Sequence, residues 1–252
     1  MKMIFRAFII AFSMYSKIPM PRIDWEEKGM RYALCFFPCI GVVLGVLMTG
    51  MYVVLEKFGL GITFQAVVYT LLPIWLTGGI HMDGFMDTMD AMSSYQPKER
   101  RLEILKDSHI GAFAAMSVAG YLLLFLGAAT ELKGINDFVL LAACFVISRA
   151  MSALCFVTCQ SARKDGLQRT FADAMQKRAV AVSSSLYLIV SLAVCVSIDL
   201  LRAGILAIAI LCLYFYYRRF SGKNFGGITG DLAGYYLQIQ EMVYLLIIVL
   251  FR

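Results

Sequence analysis

Several things are missing from this chain. It has no Cys-x-x-Cys, no internal repeat and no low-complexity segment. A cysteine metal site is therefore disfavoured, and repeat architectures are excluded. The seven cysteines (Cys35, Cys39, Cys144, Cys155, Cys159, Cys195 and Cys212) lie in or at the ends of apolar runs, where cysteine acts as a small hydrophobe. Histidine is scarce, with only His81 and His109. The first twenty residues hold no clear small-residue cleavage site and soon turn polar, so no cleavable signal is expected. The net charge of +6 does not call for nucleic acid, because cytoplasmic loops of membrane proteins collect Lys and Arg.

What the chain has is hydrocarbon. Hydrophobic residues make up 60%, and the mean hydropathy is +0.75, too apolar for a soluble domain. The expected fold is all-α: one polytopic integral membrane domain over 1–252, catalytic as a whole. Seven spans are read at about 32–55, 62–82, 110–130, 138–158, 180–199, 203–217 and 232–250. The first carries Gly41, Gly45 and Gly50 on one side, which lets a neighbouring helix come close. Residues 3–16 are apolar but too short to cross, and predict an interfacial or re-entrant helix. Lys98 to Asp107 predicts a short charged helix after Pro97. Leu167, Phe171 and Met175 recur at four-residue spacing and predict an amphipathic helix on the membrane surface.

Charge orients these spans. The loops 17–31, 83–109, 159–178 and 218–231 hold sixteen Lys and Arg, whereas the other side holds Lys57, Lys133, Arg202 and Arg252. The heavy loops are expected in the cytoplasm, with the protein in the cell (inner) membrane and its active site facing inward.

Two of those loops carry chemistry. In Gly78-Gly79-Ile80-His81-Met82-Asp83-Gly84-Phe85-Met86-Asp87-Thr88-Met89-Asp90, the three carboxylates stand at i, i+4 and i+7. At about 100° per residue they share one narrow helix face. Like charges so crowded call for a cation, and hard oxygen donors suit Mg²⁺ or Mn²⁺. An acidic, solvated helix end is the plain alternative. In Asn224-Phe225-Gly226-Gly227-Ile228-Thr229-Gly230-Asp231, three glycines leave amides open to phosphate. Asp231 is either the N-cap of the last helix or a further metal ligand. Gln238 and Glu241 follow on roughly its face, and Glu241 lies deep in an apolar helix. Arg149, inside the fourth span, is a plausible partner for it, structural or substrate-binding. His81 stands two residues before Asp83 and is a candidate base, whereas His109 reads as scenery. Arg100, Arg101 and Lys106 are candidates to neutralise phosphate, or else a solvated face. Together these features fit metal-assisted phosphoryl or nucleotidyl transfer at a membrane surface.

The motifs carry a resemblance. The Gly78–Asp90 stretch resembles the signature of the cobalamin (5′-phosphate) synthase family, the adenosylcobinamide-GDP ribazoletransferases. Glu99 to Gly111 looks like that family's second block, and Gly226 to Asp231 like its C-terminal block. The resemblance covers essentially the whole chain. It departs at Gln238, where the first of two acidic residues is expected; Glu241 supplies the second. The resemblance implies that α-ribazole, or its 5′-phosphate, attacks the phosphate on the cobinamide half of adenosylcobinamide-GDP. GMP leaves and adenosylcobalamin, or its 5′-phosphate, forms. Mg²⁺ is the implied cofactor, held by Asp83, Asp87, Asp90, Asp231 and Glu241. His81, Asp87 and Lys106 form the implied catalytic set. Arg100, Arg101, Asn224, Gly226, Gly227, Thr229 and Arg149 form the substrate and phosphate set. The partners are these small molecules and the lipid bilayer, with no nucleic acid. Assembly is left open between a homo-oligomer and association with other cobalamin-pathway enzymes. Two other readings are carried. A CDP-alcohol phosphotransferase also clusters Asp at a helix end, but this chain has Asp-Gly-x-x-Asp and lacks that family's Ala-Arg pair. An ion-coupled transporter would use Arg149 and Glu241 as its path.

Overall fold

A computed structural model describes residues 2–24, 27–107, 109–162 and 175–252. Eleven α-helices order the described residues: α1 (Lys2–Tyr15), α2 (Glu27–Ala33), α3 (Phe37–Lys57), α4 (Ile62–Thr77), α5 (Ile80–Ser93), α6 (Lys98–Ile104), α7 (Ala112–Ala129), α8 (Gly134–Thr158), α9 (Lys177–Ile198), α10 (Leu200–Phe225) and α11 (Gly230–Leu250). A 3₁₀ turn, Leu34–Phe36, joins α2 to α3. Among the described residues, six helical runs are long and apolar enough to cross a membrane, and the bent pair α4–α5 makes a seventh if it counts as one span. The chain is thus an all-α, multi-pass membrane protein, as its hydropathy predicts.

Burial ranks the spans. Of their apolar windows, 83% in Gly134–Thr158 and 78% in Gly230–Leu250 are buried, against 22–28% in α7, α9 and α10. Helices α8 and α11 are therefore the centre, and the others turn apolar side chains such as Leu123, Leu186, Ile208 and Phe215 outward. That pattern suits a bundle solvated by lipid. The centre is stitched by a buried ion pair, Arg149 Nη1 to Glu241 Oε1 at 2.8 Å. Gly41 and Gly45 let α3 lie on the backbone of α8, since a Cβ at either would sit within 3 Å of α8 atoms. Gly50, expected to share that role, faces open space.

The second span departs from expectation. It stops at Thr77, and α5 sets off at 94° to α4. Gly78 and Gly79 cause the break, with φ of +66° and +78°, a region that costs any residue bearing a Cβ. Hydropathy runs straight through the break, so it does not show in the apolar pattern. The chain before it holds the corner: the Lys17 amide donates to the Leu76 carbonyl at 2.7 Å. The Lys17 side chain lies across Gly78, where a Cβ would meet its Cε.

Other boundaries shift for local reasons. The sixth span extends to Phe225, so Arg218, Arg219, Lys223 and Asn224 ride on α10. Asp199 starts that helix by accepting from the Arg202 amide at 2.9 Å. Residues 3–16 do form a short helix, which buries Ala7, Ile10, Ala11 and Phe12 and exposes Ile4 and Phe5. Of the amphipathic stretch, Leu167 and Phe171 lie outside the described residues; Met175 is buried beside Phe12, Leu34 and Phe37.

Candidate active site

Because α5 turns at the glycine pair, its buried edge can lie on the start of α11. The contact is backbone on backbone. A Cβ at Gly84 would stand 2.5 Å from the Asp231 carbonyl oxygen and 2.9 Å from its Cα. One turn later in α11, a Cβ at Gly234 would stand 2.9 Å from the His81 carbonyl oxygen. Glycine at these two places allows the seam, and the seam brings the acidic helix against the glycine-rich block. Asp83 is exposed, while Asp87, Asp90 and Asp231 are half-buried.

The four aspartates are not equivalent. Asp90 uses both oxygens on the start of α7, accepting from the Gly111 amide at 2.6 Å and the Ala114 amide at 2.8 Å. That is the work of a helix cap donated from another helix. Asp231 is not the N-cap of α11. Thr229 is, its hydroxyl accepting from the Leu232 amide at 3.1 Å, which leaves Asp231 in the first turn. Thr229 Oγ1 also donates to Asp231 Oδ2 at 3.4 Å. Thr229, expected to meet substrate, is thus fully buried and caps the helix.

The glycine loop is held from a direction that the sequence did not suggest. The Ile228 amide donates to the Gln160 carbonyl at 2.8 Å, and the Ala162 amide donates to the Ile228 carbonyl at 2.9 Å. The chain leaving α8 therefore runs beside Gly227-Ile228-Thr229 as a single parallel bridge. Gly226 closes α10 in a left-handed turn at φ +77°.

The second block reaches the same place through one residue. Arg101 Nη1 donates to Asn224 Oδ1 at 2.9 Å, tying α6 to the end of α10. Its Nε is buried without a partner. Arg100 and Lys106 are exposed, and Arg100 pairs with Glu103 at 2.5 Å. Beyond α6, His109 Nδ1 lies 2.6 Å from Asp107 Oδ1, and this hydrogen bond holds the Asp107 carboxyl below its usual range.

Three expected site residues lie deeper. His81 is 5% exposed, its ring stacked on Tyr15 and tilted against Phe37, and neither ring nitrogen has a hydrogen-bond partner. Glu241, expected among the metal ligands, instead accepts from Arg149 and from Ser148 Oγ at 3.3 Å. Arg149 is wholly buried, and its Nη1 also bonds the Phe145 carbonyl. Sequence reading anticipated the Arg149–Glu241 pair but missed Ser148, the capping role of Thr229 and the Gln160–Ala162 bridge. The signal for Thr229 was available: a Thr three residues before Leu232 at a helix start. The bridge had none, since it joins segments almost seventy residues apart.

The donors fit a hard divalent ion in kind. Among the described residues no three His, Cys, Asp or Glu side chains converge into a cage. Magnesium rarely asks for one, being held by one or two carboxylates with waters and substrate phosphates. Asp87 on α5 and Asp231 at the start of α11 could supply such carboxylates.

Comparison with known proteins agrees with the three motif blocks. A model of the cobalamin-5-phosphate synthase family matches residues 7–249. An adenosylcobinamide-GDP ribazoletransferase of Lachnoclostridium phytofermentans is 46% identical over 236 residues, covering 93% of this chain and 89% of the relative. A protein of the same description from Clostridium perfringens is 31% identical, covering 98% and 99%, and one from Geobacillus sp. is 30% identical, covering 96% and 94%. No solved structure matches the chain. With nearly its whole length matched, the chain belongs to the cobalamin-5-phosphate synthase family.

Proposed function

We propose that the chain joins α-ribazole, or its 5′-phosphate, to adenosylcobinamide-GDP at the seam between α5 and α11, in the lower-ligand attachment step of cobalamin synthesis. The observation that carries the reading is the backbone contact of Gly84 with Asp231, which unites two motif blocks, while Arg101 and Asn224 bring in the third. The ribazole hydroxyl oxygen forms a bond to the phosphorus on the cobinamide side. The bond from that phosphorus to the bridging oxygen breaks, and GMP carries the bridging oxygen away. The hydroxyl proton goes to a carboxylate of the seam rather than to His81, which is shut behind Tyr15 and Phe37. Arg101, braced by Asn224, faces phosphate charge. A Mg²⁺ held by Asp87 and Asp231 would offset charge on the phosphate oxygens and the leaving group. Exposed Lys106, and Arg100 on leaving its exposed pair with Glu103, would swing toward the nucleotide. The lysine- and arginine-rich loops support a cytoplasmic orientation for this surface, in the cell membrane. The sealed Arg149–Glu241 pair serves as a brace in the core, not as an ion path.

GMP release by the purified full chain in detergent tests this reading. Adenosylcobinamide-GDP and α-ribazole 5′-phosphate are supplied with Mg²⁺, with chelator, and to Asp87→Asn. Metal-dependent GMP, reduced about 10²–10³-fold in the variant, is expected. Equal turnover with chelator or with the variant would sink the metal assignment, and no turnover by folded wild-type protein would sink the reaction.

A further inference from the structure

Tyr95 follows α5 after its cap and is held at φ +54°, the one positive φ on a non-glycine residue among the described residues. Helices that end this way usually place Gly or Asn there, because a Cβ is crowded in the left-handed region. The turn around it is stiff. The Tyr95 amide donates to the Met92 carbonyl at 3.4 Å. Ser94 Oγ donates to the Ala91 carbonyl at 2.7 Å and accepts from the Gln96 amide at 3.3 Å. Pro97 then fixes the chain into α6. Nothing is buried in return: Tyr95 is 89% exposed, more than any other large hydrophobic side chain described.

A ring that strains its backbone and buries no surface is not there for stability, and such strain collects where function requires it. Its address is informative. Asp87 lies eight residues earlier on α5, about 12 Å along the axis. Arg100 and Arg101 follow on α6. The turn thus joins the acidic helix to the basic one and carries an exposed aromatic ring. Both substrates of the proposed reaction carry a flat heteroaromatic ring, guanine in one and the ribazole base in the other. We infer that Tyr95 is a stacking platform for one of these rings, holding it while the phosphates occupy the seam. The inference rests on the reaction proposed above.

Two variants test it: Tyr95→Gly, which removes both ring and strain, and Tyr95→Phe, which keeps both. Steady-state GMP release is measured against each substrate in turn, alongside thermal unfolding. The expected result for Tyr95→Gly is a KM raised about ten-fold for one substrate, little change in kcat and a Tm a few degrees higher. The substrate whose KM moves names the ring. Tyr95→Phe should match wild type. A glycine variant with both KM values unchanged overturns the inference. Wild-type protein that releases no GMP would instead remove the reaction itself, and the platform with it.

Discussion

The two ends of α8 handle acid in opposite ways. At its start, Asp137 is 3% exposed and fully answered: Lys133 donates its amide at 2.7 Å, Arg202 approaches at 2.6 Å and Arg252 at 2.9 Å. Arg202 also reaches the Phe251 carbonyl at 2.8 Å, so the cluster closes the C-terminus onto two helices. Past its other end, beside the bridge at Ser161 and Ile228, acid of one sign collects from α5 and α11. Asp83 there is exposed and has no ion pair among the described residues. Where the fold needs a buried charge for closure, it supplies the countercharges itself. Where the proposed chemistry lies, carboxylates of α5 and α11 meet at the seam, whereas the Gly226, Gly227 and Ile228 amides expected to stay open to phosphate donate to the Gly222, Ser221 and Gln160 carbonyls.

The strongest way to break that contrast is Asp137→Asn. It leaves two guanidinium groups beside a neutral amide in a buried cluster, a type of loss that costs about 3–5 kcal/mol. Thermal unfolding in detergent should fall markedly, while GMP release per folded molecule stays near wild type. Activity lost in step with no change in Tm would mean that this end also serves the reaction.

A smaller change sharpens the other side. Gly84→Ala puts a methyl group 2.5 Å from the Asp231 carbonyl oxygen, with backbone rather than a movable side chain as its neighbour. The seam must open by a few tenths of an ångström or more, costing about 1–3 kcal/mol. Because α5 carries the carboxylates, GMP release should fall by more than the loss of Tm explains. Gly120→Ala is a control, since nothing lies within 4 Å of the added Cβ. Equal effects at the two glycines would refute a rigid seam.

Much of the fold is legible in the sequence because apolar length and charge asymmetry are local properties. The spans ending at Thr158 and Leu250, and the gap between the first two spans, fall where hydropathy puts them. The spacing of Asp83, Asp87 and Asp90 gives their common helix correctly. What does not show is set by contacts between distant segments. The α4–α5 break depends on two left-handed glycines inside an unbroken apolar run, held by Lys17 from some sixty residues away. The use of Asp90 as a cap depends on where α7 begins, and no spacing within the acidic motif can announce that. The Arg149–Glu241 pair was readable because two charges deep in apolar helices need each other.

The gentlest effect concerns Asp107, an exposed counterpart to Asp137. Its carboxylate accepts from the His109 side chain and, at 3.0 Å, from the His109 backbone amide. These bonds favour the ionised form, so the folded chain holds its pKa below the ordinary carboxylate value. The sign follows: the stabilisation is present above the unfolded pKa, at about 4, and is lost as pH falls through the lower folded value. Both side chains are largely exposed, 91% for His109 and 56% for Asp107, so solvent screens the pair and the effect is small. Melting wild type and Asp107→Asn side by side should show a slight advantage for wild type near neutral pH. The two curves should draw together in acid, as pH falls through the lowered folded pKa. A gap that persists unchanged into acid would show that the hydrogen bonds to His109 contribute nothing through the charge of Asp107. The comparison with the buried cluster would then rest on packing alone.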